Sequence, residues 1–353
     1  MKKYSYSLDA FRVLAILCVF VCHLNVFNEG LEGGKIFLGG NIPSIGGLAV
    51  HYFILLSAFL GAYFYDKSIS HGYLAYVRKR VWRLFPTNWV TLFFYVIVFV
   101  WLGMYTMSFW RAIVEVALSS CLLQSLFKFS ALRFNAPAWT ISTLFVLYLI
   151  TPLLMWPLKK IKKPWVLIVL VILLTWVDIE YRDWLMIVKP KNSWLNYLSP
   201  VCRIFSYLLG LTMGYAARRM TCPVIVRQYA TWIELCVFAI FLYGCSMIER
   251  DFRLCYLIVM YSTPLIIAIC FMGNGKISKM IGACGISSIS SYVYAFYMIH
   301  FLFILLVKTM CDRMLLMWGN MSMSQVWVAV IFTFISACAA SVLLHHYVEK
   351  RIA

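Results

Sequence analysis

The chain of 353 residues is 63% hydrophobic and 12% charged, and its mean hydropathy is +0.86. Soluble domains are roughly 45–50% apolar and about 25% charged, so this composition excludes a soluble enzyme, a disordered protein and a small disulfide scaffold, and indicates a membrane protein with many spans. The formal net charge of +18 would suggest a nucleic-acid partner in a soluble protein, but here the basic residues lie between apolar runs, where they set membrane orientation.

Ten apolar runs are predicted to cross the bilayer, since a transmembrane helix needs roughly 20 residues. The first run follows Lys2 and Lys3 like a signal peptide, but Asp9 and Arg12 interrupt it and no A-x-A site follows, so we interpret it as a retained helix. A further stretch, 112–127, contains several polar residues and is predicted to be an interfacial or re-entrant helix. The predicted spans are 7–27, 44–65, 87–107, 137–157, 164–181, 200–217, 231–248, 254–272, 289–308 and 326–347.

The distribution of positive charge predicts the orientation. If the N-terminus is cytoplasmic, the inner segments contain most of the lysines and arginines, with Asp66 and Glu349 as their only acids. Counting 112–127 as a span would place the basic segment 159–163 outside. We therefore predict an all-α membrane protein that forms a single bundle of about ten transmembrane helices, with both termini cytoplasmic and no extra soluble domain over residues 1–353.

The first helix contains three ionisable residues, Asp9, Arg12 and His23. An ionisable group at the bilayer centre costs at least ~2.5–3.5 kcal/mol, so each one suggests a function. Arg12 and His23 are eleven residues apart, which places them on nearly the same face, about 16 Å apart along the axis. One face thus offers an anion-binding guanidinium and a titratable imidazole. Alternatively, Arg12 extends to the headgroups beside Asp9, and His23 is a polar residue satisfied within the bundle.

A basic cluster precedes Pro86, which is predicted to begin the third span. Arg78, Arg80 and Arg83 lie in it, the last two at helical i,i+3 spacing. Such a cluster can grip the phosphates of a nucleotide-like molecule. A topogenic or lipid-headgroup role is the alternative.

Other polar residues fall within later spans. His300 follows Tyr294 and Tyr297 on one helix face, where it is either functional or a core histidine among aromatic side chains. Arg203 and Glu234 either pair between helices or face a cavity. No partner for His51 is identifiable, and the residues 345–349 lie at the end of the last helix, so no metal site is expected there.

Short motifs in the first quarter of the chain resemble those of a known family. Residues 7–12 read SLDAFR and are followed by His23, residues 53–59 read FILLSAF, and residues 80–86 read RVWRLFP. These are similar to the L-D-x-x-R, R-x10-H, F-F-x-L-S-G-F and R-x-x-R-x-x-P motifs of the acyltransferase 3 family of membrane acyltransferases, with Ala58 in place of the usual glycine.

Later segments extend the resemblance over nearly the whole chain. Residues 139–152 resemble the W-S-L-x-x-E…F-Y-L…P block, but Leu144 occupies the position where many members have glutamate. Residues 294–300 are similar to the late S-Y-x-x-Y-L-x-H motif. Residues 345–351 resemble the closing helix with its E-x-P, where Glu349 matches and Arg351 replaces the proline. The leucine weakens any role assigned to position 144 but not the resemblance.

The resemblance implies a multi-pass O-acetyltransferase of the bacterial cytoplasmic membrane. Such an enzyme moves an acetyl or other short acyl group from cytoplasmic acetyl-CoA to a hydroxyl of a cell-surface or lipid-linked glycan, without a metal. His23 would be the catalytic residue, either as general base or through a transient acyl-histidine. The residues expected to bind the CoA are Arg12, Arg78, Arg80 and Arg83. The residues expected to line the substrate cavity are Asp9, Ser57, Trp139, Tyr297 and His300.

Two other classes fit ten spans with buried charges. A transporter or flippase for a lipid or glycan is the main alternative, although transporters often have paired halves with broken helices, and no such symmetry is evident in the sequence. A polysaccharide polymerase would be expected to have a large outer loop, and the predicted outer segment 108–136 is modest.

Overall fold

A computed structural model describes residues 6–28, 42–103, 108–318 and 322–352. These residues are almost entirely helical and contain no β-strand, which confirms the predicted all-α class. The helices are α1 (Tyr6–His23), α2 (Ile42–Tyr63), α3 (Tyr65–Ile69), α4 (Tyr73–Trp101), α5 (Phe109–Ser120), α6 (Trp139–Lys160), α7 (Pro164–Val188), α8 (Ile204–Arg219), α9 (Val224–Gln228), α10 (Ala230–Ser246), α11 (Phe252–Met272), α12 (Lys276–Ala283), α13 (Val293–Trp318), α14 (Met323–Leu344) and α15 (Lys350–Ile352).

Eight segments of the described chain are long and apolar enough to cross a membrane, as expected for an integral membrane protein. They contain α1, α2, α4, α6, α7, α11, α13 and α14. The other two predicted spans, 200–217 and 231–248, fall on the shorter helices α8 and α10, of 16 and 17 residues. The count of ten spans and the cytoplasmic termini remain predictions.

Helix α4 differs most from its prediction. It begins at Tyr73 and continues through Pro86 to Trp101, so the proline does not begin the span, and the basic cluster lies on the helix rather than in a loop. A proline inside a helix leaves the carbonyl oxygen four residues earlier, here that of Trp82, without its backbone donor, and such interruptions are tolerated in membrane helices. Beside the proline, Tyr294 of α13 donates a hydrogen bond of 2.6 Å to the carbonyl oxygen of Leu84, which ties this part of α4 to α13. The arginines are therefore held in a regular helical arrangement.

Helix α5 overlaps the segment 112–127, which was predicted to be an interfacial or re-entrant helix. Its 12 residues extend about 18 Å, too short for a hydrocarbon core of about 30 Å. Phe109 and Trp110 are strongly exposed, as is usual for aromatic side chains at the membrane interface. Glu115 on its other face is fully buried and forms an ion pair with Arg111, with Nε 3.1 Å from Oε1.

Helix α2 packs against both α1 and α8 at the centre of the bundle. Gly210 and Gly214 of α8 have the G-x-x-x-G spacing that permits close approach of membrane helices. A Cβ atom at Gly210 would collide with the carbonyl oxygen of Leu55, and one at Gly214 with that of Phe59. These contacts fix the face of α2 on which the candidate site is built.

Candidate active site

A cavity of about 960 Å³ lies between α1, α2, α4, α6, α13 and the π-helical turn His345–Glu349. Its wall contains seven lysine and arginine side chains but only two carboxylates, Asp9 and Glu349. We call it the basic cavity. The seven cationic residues are Arg12, Lys67, Arg78, Lys79, Arg80, Arg83 and Lys350.

All four arginines predicted to bind an anion lie in the wall of this cavity. The predicted residues Asp9 and Ser57 line it too. Arg12 Nη1 lies 2.7 Å from Oδ1 of Asp9, which is one turn earlier on α1, and this ion pair orients the guanidinium. The guanidinium carbon of Arg80 lies 5.1 Å from the ring centroid of Tyr76 and 4.7 Å from that of Tyr148. Such cation–π contacts hold the side chain in place while its N–H groups remain donors.

A second cavity, of about 420 Å³, lies at the other end of α1. His23 lines it, together with Trp139 and Tyr197, whose ring centroids are 5.0 Å apart. Asn25 and Ser193 add polar groups to a wall that is otherwise mostly apolar. We call it the histidine cavity.

Tyr297 lines both cavities. Its hydroxyl donates a hydrogen bond of 2.9 Å to the carbonyl oxygen of Pro137, at the start of the turn that leads into α6. Arg12 faces the basic cavity and His23 the histidine cavity, as their spacing along one face of α1 predicts. The two side chains therefore point into adjoining cavities rather than toward lipid.

His300, expected in the cavity wall, lies one layer behind it. It is fully buried and lines neither cavity, and its ring centroid is 5.4 Å from that of His23. Nδ1 is 3.1 Å and 2.9 Å from the carbonyl oxygens of Phe296 and Tyr297. Because carbonyl oxygens only accept hydrogen bonds, Nδ1 carries the proton and a neutral ring leaves Nε2 as an acceptor. Within the described residues Nε2 has no hydrogen-bond partner.

Two residues of the basic cavity, His345 and Glu349, were not predicted as site residues. They lie on the π-helical turn after α14, with His345 Nδ1 2.6 Å from Glu349 Oε2. The hydroxyl of Thr87 also donates to Glu349 Oε1 at 3.4 Å. The match of Glu349 to the closing motif was the available signal. Among the residues that the structure describes, no group of three His, Cys, Asp or Glu side chains could hold a metal ion.

Leu144 also lines the basic cavity, near Thr140. A glutamate at this position, as in the motif that residues 139–152 resemble, would therefore face the cavity, where this chain has an apolar side chain instead. No carboxylate replaces it on α6, where Thr140, Ile141 and Tyr148 form the rest of the cavity wall.

Arg203 and Glu234 do not pair with each other. Glu234 accepts hydrogen bonds from the backbone N–H groups of Gly275, Ile277 and Ser278 and from the Ser278 hydroxyl, so it caps the positive end of α12. Arg203 lies instead beside Tyr197. Both charges were predicted to lie in spans, but the sequence did not indicate that the Glu234 carboxylate caps the short helix α12.

His51, which had no identifiable partner in the sequence, belongs to a buried polar cluster. Its Nδ1 is 3.3 Å from Arg182 Nη2 and 3.8 Å from Asp178 Oδ2. Asp178 and Arg182 form an ion pair of 3.3 Å one turn apart on α7. None of these three residues lines the basic cavity or the histidine cavity.

The side chains of the two cavities are suited to two different tasks, anion binding and proton transfer. The arginines at one end provide bidentate donors suited to phosphate groups. At the other end, His23 is an imidazole whose ring nitrogen can accept a proton from a hydroxyl group. A molecule held by its phosphates in the basic cavity could extend a neutral arm past Tyr297 toward His23.

Comparison with known proteins identifies the family. A family model described as an acyltransferase domain matches residues 5–346, nearly the whole chain. Acyltransferase MdmB of Streptomyces mycarofaciens is 30% identical over 154 residues, which cover 42% of this chain and only 38% of that relative. No solved structure matches the chain. Because the family model covers nearly all of it, the chain belongs to the acyltransferase 3 family.

Proposed function

We propose that the protein is an O-acyltransferase that moves an acetyl or other short acyl group from cytoplasmic acyl-CoA to a hydroxyl of a cell-surface or lipid-linked glycan. The observation that carries the proposal is that Tyr297 lines both cavities. The basic cavity and the histidine cavity therefore adjoin at Tyr297, which supports a route from an anion site to an imidazole inside one membrane domain. Family membership supports the acyl transfer itself.

The basic cavity is the proposed site of the donor. CoA carries its negative charge on phosphate groups at one end and its thioester at the other. Arg78, Arg80 and Arg83 lie within two turns of α4 and would bind those phosphates, while Arg12 would bind deeper along α1. The uncharged pantetheine arm would then pass Tyr297, which places the thioester near the histidine cavity.

The histidine cavity is the proposed site of the acceptor. His23 takes the proton of the acceptor hydroxyl as its oxygen attacks the thioester carbonyl carbon. The C–S bond breaks, the acyl group is then bonded to the acceptor oxygen, and the CoA thiolate takes the proton back from the imidazolium. His300, with Nδ1 held by two carbonyl oxygens, would orient the His23 ring. An acyl-histidine intermediate would use the same two cavities.

The orientation follows from the proposed donor. Acyl-CoA is a cytoplasmic molecule, so the basic cavity would open to the cytoplasm and the histidine cavity would face the outer half of the membrane. The excess of lysine and arginine in the segments predicted to be cytoplasmic supports this orientation. In this orientation both termini are cytoplasmic, and the protein is a multi-pass protein of the bacterial cytoplasmic membrane.

Mass spectrometry of surface glycans from cells with the gene intact and deleted tests the proposal. The proposal predicts a mass difference of one acyl unit on one sugar residue. Purified protein should also transfer label from [14C]acetyl-CoA to the glycan isolated from the deletion strain. A transporter or flippase would instead change the amount of glycan at the surface without changing its mass, and that result would refute the proposal.

A further inference from the structure

A fully buried arginine lies directly behind the wall of the histidine cavity. Arg203 precedes α8, and its guanidinium carbon is 4.7 Å from the ring centroid of Tyr197 and 5.6 Å from that of Trp139. Both rings line the cavity that contains His23. The guanidinium is therefore separated from the cavity only by aromatic side chains, whose low polarity screens its charge weakly.

The hydrogen bonds of Arg203 are incomplete. Its Nε donates to the carbonyl oxygen of Tyr197 at 3.2 Å. Its Nη1 and Nη2 atoms are buried and have no hydrogen-bond partner within the described residues. A buried charge without an ionic partner is strongly unfavourable, so a negative charge in the adjacent cavity would stabilise the guanidinium across the two rings.

The neighbouring ionic groups leave this charge unbalanced. Asp178 is already bound by Arg182 at 3.3 Å and by the hydroxyl of Ser206 at 2.8 Å and 3.0 Å. No ion pair joins Arg203 to a carboxylate in the described part of the chain. The guanidinium groups of Arg182 and Arg203 carry two positive charges, and the carboxylate of Asp178 balances only one of them. One buried positive charge therefore remains beside the histidine cavity.

The histidine cavity has a composition suited to a sugar ring. The rings of Trp139 and Tyr197 offer an apolar surface for its C–H face. Asn25 and Ser193 supply polar atoms for its hydroxyl groups. A volume of about 420 Å³ is sufficient for one such residue with a substituent.

We propose that the histidine cavity binds a sugar residue that carries an anionic group, either a carboxylate or a phosphate, and that Arg203 supplies the balancing positive charge. The inference rests on the proposed function, because it identifies the class of acceptor that reaches His23. The anionic group lies toward the wall of Trp139 and Tyr197, which leaves a hydroxyl of the same sugar free to face the imidazole.

The test measures sugar binding to the purified full-length protein in nanodiscs, in the absence of any acyl donor. The probes are methyl β-D-glucuronide, glucose 6-phosphate and the neutral methyl β-D-glucoside. We expect at least one anionic probe to bind about tenfold or more tightly than the neutral probe. The tighter of the two anionic probes identifies the source of the charge as carboxylate or phosphate. Equal binding of charged and neutral probes would overturn the inference.

Two variants separate charge from packing. Arg203→Lys keeps the positive charge and should keep most of the preference for an anionic probe. Arg203→Gln removes the charge and should reduce that preference to about twofold or less, whereas a preference equal to that of the wild type would contradict the inference. If R203Q does not fold, as judged by its thermal unfolding, the wild-type and R203K comparisons decide the question.

A second assay on the same purified protein distinguishes a failure of this inference from a failure of the proposed function. Acyl transfer from labelled acetyl-CoA is measured with each probe as acceptor. A binding preference for an anionic probe without any acyl transfer would support the anionic site and count against the proposed reaction. Transfer that proceeds equally to neutral and anionic sugars would support the reaction and overturn the inference.

Discussion

The imidazole rings of His23 and His300 lie 5.4 Å apart, on facing helices α1 and α13. Nδ1 of His300 is held by the backbone of its own helix, so its Nε2 is the atom available to influence His23. Under the proposed function the pair would divide two tasks. His23, which lines the cavity, would meet the substrate, whereas His300 behind it would orient the His23 ring.

Replacing His300 with asparagine tests this division. The amide of Asn can still donate to the backbone carbonyl oxygens but provides no counterpart of Nε2. We expect kcat for acyl transfer to fall about 10- to 100-fold while KM for acyl-CoA stays unchanged, because the basic cavity is untouched. His300→Gln, which can place a polar atom near the Nε2 position, should retain more activity. A rise in KM with equal loss in both variants would indicate a purely structural role.

Removing arginines from the basic cavity should weaken donor binding. A hydrogen bond to a charged group contributes about 1.5–3 kcal/mol, so Arg80→Gln or Arg83→Gln should raise the Kd for acyl-CoA about 10- to 100-fold. Isothermal titration with the purified protein checks this. Arg219→Gln is the matched control, because Arg219 binds the carbonyl oxygens of Ile161 and Lys162 outside the cavity. Equal effects of the cavity and control variants would contradict the assignment.

Tyr297 should control passage between the cavities through its size. Tyr297→Phe loses only the hydrogen bond to Pro137, which is about 1 kcal/mol of stability, and should transfer acyl groups nearly normally. Tyr297→Trp puts a larger ring at the junction and should reduce kcat at least about tenfold without changing the Kd for acyl-CoA. Steady-state kinetics together with donor titration distinguish the two effects. Normal turnover by Y297W would show that the donor arm does not pass this residue.

Close packing of α2 against α8 gives a stability prediction. A methyl group at Gly214 would collide with the backbone of Phe59, and such overpacking costs about 1–3 kcal/mol. Gly214→Ala should therefore lower the unfolding temperature in detergent. Gly61→Ala is the control, since nothing lies within 4 Å of a Cβ atom at Gly61 and alanine favours helix more than glycine. A G214A protein as stable as G61A would contradict the packing.

Asp66 gives a prediction for acidic pH. Its hydrogen bond with Lys159, 2.7 Å long, and the contact with Arg218 at 2.5 Å lower the pKa of Asp66 below its usual value. The resulting stabilisation is complete above the unfolded-state pKa of about 3.9 and is lost as the pH falls through the lower folded-state pKa. It amounts to less than about 1 kcal/mol, since the side chains are substantially exposed.

Asp66→Asn should therefore be slightly less stable than the wild type at pH 7. The difference between the two unfolding temperatures should begin to shrink as the pH falls below the unfolded-state pKa of about 3.9, because the wild type then loses the ion pairs progressively. Thermal unfolding from pH 7 to pH 3 measures it. A difference that is constant over this range would mean that the Asp66 contacts contribute nothing to stability.

The helical class and most helix positions could be predicted, because apolar runs of about 20 residues have few other structures in a bilayer. The start of α4 at Tyr73 could not be predicted in this way. A proline usually marks a helix boundary, but α4 continues through Pro86, where Tyr294 of α13 binds the carbonyl oxygen of Leu84. That hydrogen bond joins residues far apart in sequence.

The residues of the site were predictable where helical spacing fixes their direction. The spacing of Arg12 and His23 along α1 is such a case, and so is that of Arg80 and Arg83 on α4. Contacts between helices were not predictable. Whether Arg203 meets Glu234 or the ring of Tyr197, and whether His300 lies in the cavity wall or behind it, depends on how α8 and α13 pack.

Acyl transfer by reconstituted proteoliposomes tests the central claim most directly. Labelled acetyl-CoA is supplied on the side of the basic cavity and the glycan acceptor on the side of the histidine cavity, for wild type and His23→Ala. The account predicts that H23A binds acetyl-CoA with unchanged Kd but transfers at least about 100-fold more slowly. Transfer by H23A at the wild-type rate would contradict the account.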